Sequence, residues 1–324
     1  MKIQEIKATD LTLARLNQFV EEKKTEIRQK IGDGCAINAL SGGVDSAAVA
    51  VLGHFALGGK LKNYLIDNGL MRENELLETA SIFEKMGIAV AIVDAQDEFF
   101  DTLAGIEEPE EKREMITQTF YKGVFRRLVK ESGAKCLLQG TILTDIDETV
   151  AGIKRQHNVF EQLGIDPQEE FGYQIIEPLI QLRKNGVRML AKHLGLPVEI
   201  YNRQPFPGPA LATRIIGGVT ENKVSIIRTA TVIVEEHLLG LGTFQCLAIL
   251  HQDKVTGIKN GKRVFGNQIE VRCWDSVDGR EARSTQLSIH ILEKMADEIV
   301  SKIPEVVSVT YNITSKPPST IEAI

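Results

Sequence analysis

Ala39-Leu40-Ser41-Gly42-Gly43-Val44-Asp45-Ser46 is the stretch that decides the fold. The apolar run before it, Cys35-Ala36-Ile37-Asn38-Ala39-Leu40, reads as a short buried strand. The run after it, Ala47-Ala48-Val49-Ala50-Val51-Leu52, reads as the apolar start of a helix. A strand, a tight glycine turn and a helix N-terminus make an anion site, because unpaired backbone N–H groups and the positive end of the helix dipole face the turn. Gly42 and Gly43 let the backbone approach a phosphate closely, and Ser41 and Ser46 add hydroxyl donors. The stretch holds no Gly-x4-Gly-Lys-Ser/Thr, which excludes a P-loop kinase or GTPase. It holds no Gly-x-Gly-x-x-Gly after the strand, so dinucleotide binding is not indicated.

The chain around this turn has 324 residues, a length for two domains or one large one. A hydrophobic content of 43% is ample for packed cores. No run of 18 apolar residues occurs, and Met1-Lys2-Ile3-Gln4-Glu5 is not a signal peptide, so a cytoplasmic protein is expected. Net charge is −6, from 38 basic and 44 acidic residues, which argues against nucleic acid as a partner. Cys35, Cys136, Cys246 and Cys273 are far apart, with no Cys-x-x-Cys, so neither a zinc knuckle nor a dithiol is suggested. Cys35 and Cys136 sit in apolar runs and read as small core residues.

Strand-like and helical patterns alternate up to about residue 200. Strands are expected at 35–40, 63–66, 88–93, 135–139 and 174–177. Helices are expected at 11–31, 46–56, 73–86, 96–104, 110–132 and 183–194. Continuous apolar strands separated by helices predict a parallel sheet covered on both faces. Ligands bind such sheets at the carboxyl ends of strands where the order reverses, and both the glycine turn and Ile66-Asp67-Asn68-Gly69 fall at strand ends. The polar stretch from Asp145 to Phe171 reads as a long loop, a candidate lid. Pro205-Phe206-Pro207-Gly208-Pro209 can be neither helix nor central strand and marks a domain boundary. Beyond it, a helix at 220–239 capped by Thr220, strands at 245–251, 268–274 and 305–313, and a helix at 286–303 predict a smaller α+β layer of antiparallel type.

Asp45 is the residue with the clearest chemical role. A carboxylate beside a polyphosphate is repulsive unless a cation lies between them, and Mg²⁺ satisfies both. Asp is also a favoured helix cap, and the two roles are compatible. Gln139-Gly140-Thr141 is a strand-end turn. Asp145 and Glu148, three apart, would share a helical face. Lys154 and His157 sit in the candidate lid, where a lysine could act as a point charge on a polyphosphate. Glu107 to Glu114 reads as a solvated helix start. Ser315-Lys316-Pro317-Pro318-Ser319-Thr320-Ile321-Glu322 reads as a stiff tail, by default free and disordered, though its lysine and glutamate could reach into a site.

Ser-Gly-Gly-x-Asp-Ser resembles the PP-loop of ATP pyrophosphatases, in which the loop holds the departing pyrophosphate. Together with Ile66-Asp67-Asn68-Gly69-Leu70, Pro109-Glu110-Glu111-Lys112-Arg113, Gln139-Gly140-Thr141, Glu177-Pro178-Leu179, the Pro-Phe-Pro-Gly-Pro run, Ser276-Val277-Asp278-Gly279 and Ser315-Lys316-Pro317-Pro318, it resembles the ATP-pyrophosphatase part of GMP synthetase over nearly the whole chain. The resemblance implies an α/β PP-loop domain at 1–205, like the adenine nucleotide α-hydrolases, and a dimerisation domain at 206–324. It implies a ligase of GMP and purine biosynthesis that adenylates XMP with ATP and Mg²⁺, releases pyrophosphate, and lets ammonia form GMP and AMP. Ser41, Gly42, Gly43, Val44, Asp45 and Ser46 would hold pyrophosphate, with Asp45 as metal ligand. Ile66 and Gly140 would lie near the adenosine, and Lys154 would reach the phosphates. Arg203, Lys316 and Glu322 would bind the substrate nucleotide. A homodimer is implied, with a partner's tail contributing to each site. No glutaminase domain is present in these residues, so ammonia would come from solution or a separate glutaminase subunit.

The sequence departs from the family in places. The lid reads Ile153-Lys154-Arg155-Gln156-His157-Asn158 where Ile-Lys-Ser-His-His-Asn is usual. Gln204 replaces a His, Ala210 a Gly, and Ala323-Ile324 a Trp-Glu. These changes cluster on the acceptor side and in the second domain, which leaves open an alternative, adenylation of a different nucleotide or base carbonyl. Sulfur transfer to tRNA would want a basic surface and a catalytic cysteine pair, and neither is visible in the sequence.

Overall fold

The computed structural model describes residues 3–150, 166–204, 206–238, 240–277 and 279–323. They form two compact units. The first gathers residues 1–67, 75–95 and 117–203, and the second gathers 68–74, 96–116 and 204–324. Both segments that the second unit takes from the N-terminal half follow strands of the first.

The first unit holds α1 (Leu13–Ile31), β1 (Ala36–Leu40), α2 (Val44–Leu57), β2 (Leu61–Asp67), α3 (Glu75–Lys85) and β3 (Val90–Asp94). In chain order there follow α4 (Gln96–Leu103) and α5 (Pro109–Gln118), which belong to the second unit up to Ile116, then, back in the first unit, a π-helical turn, Thr119–Phe125, that leads into α6 (Arg126–Ser132). β4 (Cys136–Leu138), α7 (Leu143–Val150), α8 (Pro167–Phe171), β5 (Gln174–Ile176), α9 (Lys184–His193) and α10 (Val198–Tyr201) complete it. The sheet is parallel throughout, in the order β3-β2-β1-β4-β5. The order therefore reverses between β1 and β4, and the glycine turn after β1 lies at that switch point. α2 is apolar all round, with Ala47 to Leu52 each at most 1% exposed, so it is a core helix rather than an amphipathic cover. Gly53 lets it settle: a Cβ there would lie 2.7 Å from side chains of both Leu61 and Leu138.

The segment expected to be a loop from Asp145 begins as helix instead, since α7 runs through Val150. Asp145 is its third residue, and its carboxylate accepts the Ile142 N–H at 3.0 Å, half of a capping box. The lid residues Lys154, Arg155, Gln156 and His157 lie outside the described residues, and so does the side chain of Glu148.

The second unit contains α11 (Glu221–Leu238), β6 (Gln245–Lys259), β7 (Lys262–Asp275), β8 (Arg283–Ser284), α12 (Ile289–Lys302) and β9 (Val306–Tyr311). Thr220 caps α11, accepting the Lys223 N–H at 3.3 Å. Two expectations need correction. β6 and β7 form one long hairpin closed by Asn260-Gly261, both at positive φ, and are twice the expected length. The sheet is also mixed, because β9 pairs with β7 in parallel after the crossover through α12.

Candidate active site

β1 ends at Leu40, and α2 begins two residues sooner than the sequence pattern suggests, at Val44 with Gly43 as its cap. Gly43 has no side chain, so no side-chain cap occupies this helix N-terminus. Asp45 is the second residue of the helix and does not cap it. Gly42 turns the chain at φ +72°, open to glycine but strained for other residues, and a Cβ there would lie 2.7 Å from Glu75 Oε1. Ser46 braces the turn from inside: its hydroxyl donates to Gly43 O at 3.1 Å and accepts the Ser41 N–H at 3.1 Å. The two serine hydroxyls are 3.0 Å apart, with Ser41 exposed and Ser46 buried. Val44 is buried in the core, so only its backbone can face a ligand.

Three further elements close on this turn. The first is Gln139-Gly140-Thr141 after β4. A Cβ on Gly140 would lie 2.9 Å from both the Asp45 carbonyl carbon and the Ser46 nitrogen, so the strand end is packed against the first turn of α2. Gln139 is held in a chain of bonds: the Tyr121 hydroxyl donates to its Oε1 at 2.8 Å, and its Nε2 donates to Thr141 Oγ1 at 2.8 Å. Burial pushes the Tyr121 phenol well above its ordinary range, so it stays a donor. The π turn is the segment that brings Tyr121 there.

The second element is the start of α9. Lys184 donates from Nζ to Asp45 Oδ2 at 2.7 Å, with the lysine 42% and the aspartate 24% exposed. Asp45 Oδ1 is buried with no hydrogen-bond partner. The third is Arg203, which donates to Gly42 O at 3.1 Å and pairs with the buried Glu75 carboxylate at 3.1 Å. Sequence reasoning missed Lys184, Glu75 and Tyr121. Lys184 stands immediately after Arg183 in a basic pair following β5, and nothing local singles it out.

Ser41 to Ser46, Gly140 and Arg203 thus come together in the first unit. Ile66 lies there too, buried near the end of β2, the neighbour of β1. Lys316 and Glu322 belong to the second unit. The tail that carries them is ordered rather than free. Lys316 exchanges backbone bonds with Ala282, and its Nζ donates to Gly279 O at 2.8 Å. Arg272 donates to the carbonyls of Thr320, Ile321 and Glu322. Glu322 accepts from Gln245 at 2.7 Å and from Arg214, which is 1% exposed, at 3.4 Å. Backbone carbonyls and a buried arginine hold the tail down.

Lys112 corrects a further expectation. The glutamates from Glu107 to Glu114 are exposed at the start of α5, as a solvated helix start requires, but Lys112 among them is 1% exposed and donates to the carbonyls of Ile215 and Gly217. Burial, reinforced by Lys223, brings its ammonium down to about 8, against Glu107 and Glu108.

The family described as "GMP synthase C terminal domain" matches residues 234–323. Over its length the chain is similar to a subunit of the glutamine-hydrolyzing GMP synthase of Pyrococcus furiosus, 46% identical over 308 residues, which are 94% of this chain and 96% of the relative. The corresponding subunit of Archaeoglobus fulgidus is 46% identical, over 95% and 99% of the two chains, and that of Methanocaldococcus jannaschii is 42% identical, over 94% and 98%. The chain belongs to this family of GMP synthase subunits. The parallel sheet and the separate mixed sheet are the α/β PP-loop and C-terminal parts expected for that family. Among the described residues, no helix is long and apolar enough to cross a membrane.

Proposed function

We propose that this chain carries out the ATP-dependent amination of XMP to GMP, forming an adenyl-XMP intermediate and releasing pyrophosphate and AMP. One observation carries the reading: an α-helix N-terminus with no side-chain cap, at the sheet's switch point, flanked by a carboxylate that a lysine neutralises. The N–H groups at the start of α2 and the turn at Gly42-Gly43 receive the β and γ phosphates, which stay as pyrophosphate when the XMP oxygen attacks the α phosphorus. Ser41 and Ser46 turn their hydroxyls from each other to the phosphates. Gly140 leaves the room above the loop, and Ile66 packs against the adenosine. Lys154 supplies a further charge to the phosphates.

The unpartnered, buried Asp45 Oδ1 fits Mg²⁺, which takes one or two carboxylates and completes its shell with phosphate oxygens and water. Among the described residues no cluster of three or more His, Cys, Asp or Glu side chains forms a protein-only cage. When bound there, the ion neutralises charge on the departing pyrophosphate. Lys184 keeps the carboxylate compensated before ATP arrives, and afterwards its half-exposed ammonium is free to move to the phosphates.

Arg203, Lys316 and Glu322 bind the XMP side, with residues 1–205 as the ATP-pyrophosphatase part and 206–324 as the part that pairs in a cytoplasmic homodimer. Ammonia comes from a separate glutamine-hydrolysing subunit. The test is pyrophosphate release from ATP and Mg²⁺ with excess ammonium, with and without XMP, on the native sequence and Asp45→Ala. Release should require XMP, yield GMP, and be lost in Asp45→Ala, while glutamine should not replace ammonium. Release that ignores XMP, or tight ATP binding without turnover, sinks the assignment.

A further inference from the structure

Cys246 and Cys273 are direct partners across the β6–β7 hairpin, with Sγ atoms 2.9 Å apart. The sequence spacing suggests no dithiol, and the hairpin register creates one from residues 27 positions apart in the chain. Directly opposed residues of an antiparallel pair have Cα atoms about 4.5–5.5 Å apart, inside the range a disulfide spans. Both thiols are buried, at 3% and 1% exposure. They stand at the open end of the hairpin: Cys246 is the second residue of β6, and β7 ends two residues past Cys273. Strand ends open locally far more often than whole domains unfold, which gives a small reagent access.

The environment distinguishes the two sulfurs. The hydrogen bond between the two sulfurs lowers the Cys273 thiol, helped by the hydroxyls of Thr285 and Thr243 and opposed by burial. The same bond pushes Cys246 up. One sulfur is poised as the nucleophile and its neighbour holds the proton. Among the described residues no third His, Cys, Asp or Glu joins them, so the pair is not a metal cage.

We propose that Cys246 and Cys273 form a reversible modification site, a dithiol that a peroxide closes to a disulfide. The Cys273 thiolate attacks one oxygen of hydrogen peroxide, the O–O bond breaks, and Cys273 becomes a sulfenic acid as hydroxide leaves. The hydroxide takes the Cys246 proton as water. The Cys246 sulfur then attacks the sulfenic sulfur, the S–O bond breaks, and a second water leaves once protonated. Two thiols and one peroxide give one disulfide and two waters, with two electrons passing from sulfur to oxygen. The bond falls beside the clamp on the tail, because Cys246 N–H donates to Gln204 Oε1 at 3.4 Å and the preceding Gln245 holds Glu322.

The test treats the full-length protein in neutral buffer with a modest excess of hydrogen peroxide, traps remaining thiols with N-ethylmaleimide in denaturant, and maps the peptides by mass. Most chains should carry a cross-linked pair joining Cys246 to Cys273, lighter by two hydrogens and reopened by dithiothreitol, with Cys35 and Cys136 still alkylated. Cys246→Ala removes both the partner that closes the bond and the hydrogen bond that lowers the Cys273 thiol, so the same treatment should leave Cys273 alkylatable. The proposal fails if both thiols of the folded protein stay alkylatable, if the cross-link forms only in denaturant, or if Cys273 of the native sequence is driven to irreversible acids.

Discussion

Gly140→Ala isolates the step that shapes the phosphate loop. Gly140 is not among the glycines at positive φ, so alanine suits its backbone. The clash alone acts. The new Cβ would sit 2.9 Å from the Asp45 carbonyl carbon and the Ser46 nitrogen and 3.2 Å from Asp45 Cβ. Ordinary carbon contacts are about 3.5–4.0 Å, so roughly 0.5–1 Å must be found. None of the three atoms is the end of a flexible chain; two are backbone in the first turn of α2, and the third is a Cβ fixed to it. The displacement therefore goes into the N–H groups that receive the phosphates. Overpacking of this kind costs about 1–3 kcal/mol of stability, and a shift of about 1 Å in a reacting geometry costs on the order of 100-fold in rate.

The expected result is a fall of roughly 10- to 100-fold in XMP-dependent pyrophosphate release, in kcat more than in the KM for ATP, because the misplacement bears on the departing pyrophosphate. Gly133→Ala is the control. Its φ is +68° with nothing within 4 Å of the added Cβ, so it should lose about 1–2 kcal/mol to strain and keep its rate. Steady-state release at saturating ammonium, read beside thermal melts, separates the two. If Gly140→Ala melts lower but turns over at the native rate, the loop does not need the geometry argued for it.

Lys184→Met should raise the KM for magnesium–ATP roughly tenfold and shift stability by less than about 1 kcal/mol, since the pair with Asp45 is partly exposed; an unchanged KM would remove Lys184 from the site. Glu322→Gln strips the carboxylate from the buried Arg214 guanidinium and should cost about 3 kcal/mol in urea or thermal unfolding; a loss below about 0.5 kcal/mol would show that the tail is not held by this pair. Lys112, brought down to about 8 in the fold from 10.5, releases its proton in the folded chain while the unfolded chain still holds it. Its contribution to stability should therefore grow between about pH 8 and 10.5, by on the order of 3 kcal/mol. The unfolding free energy of the native chain measured relative to Lys112→Met should rise with pH across that window, and a flat difference would refute the buried charge.

The first unit is legible because its signals are local. Five short apolar runs separated by helical patterns admit a parallel sheet and little else, and the glycine turn after the first of them marks the ligand end. The second unit reads short because the outer halves of β6 and β7 mix charged residues with apolar ones that stay exposed, such as Ile258 and Phe265, so no apolar run marks them. Asn260-Gly261 between Lys259 and Lys262 is the available signal, since Asn-Gly fills the two positive-φ positions of a tight hairpin turn at low strain. The direction of β9 is hidden because sequence alone does not tell a hairpin return from a helical crossover when the strand is six residues long.

What stays hidden elsewhere is pairing between distant residues. Asp45 can be singled out from its own loop, but Lys184 comes to it from 139 residues away. A lysine at a helix start is chemically undistinguished until the fold brings a carboxylate to it. The same holds for Lys112, which a charged run disguises as solvated, and for Cys246 and Cys273, whose spacing matches no motif. In each case a side chain of ordinary type gains its character from a partner supplied by register or crossover. The glycine turn is different, because its chemistry lies in backbone N–H groups that any strand–turn–helix of that composition presents. Backbone-built sites are therefore readable from sequence, whereas counter-ions and thiol pairs require the fold. It follows that Lys184, which the phosphate motif does not contain, tests the structure more sharply than Asp45 does. Loss of activity in Asp45→Ala would follow from the motif alone, while a raised KM for magnesium–ATP in Lys184→Met follows only if α9 lies where the structure puts it.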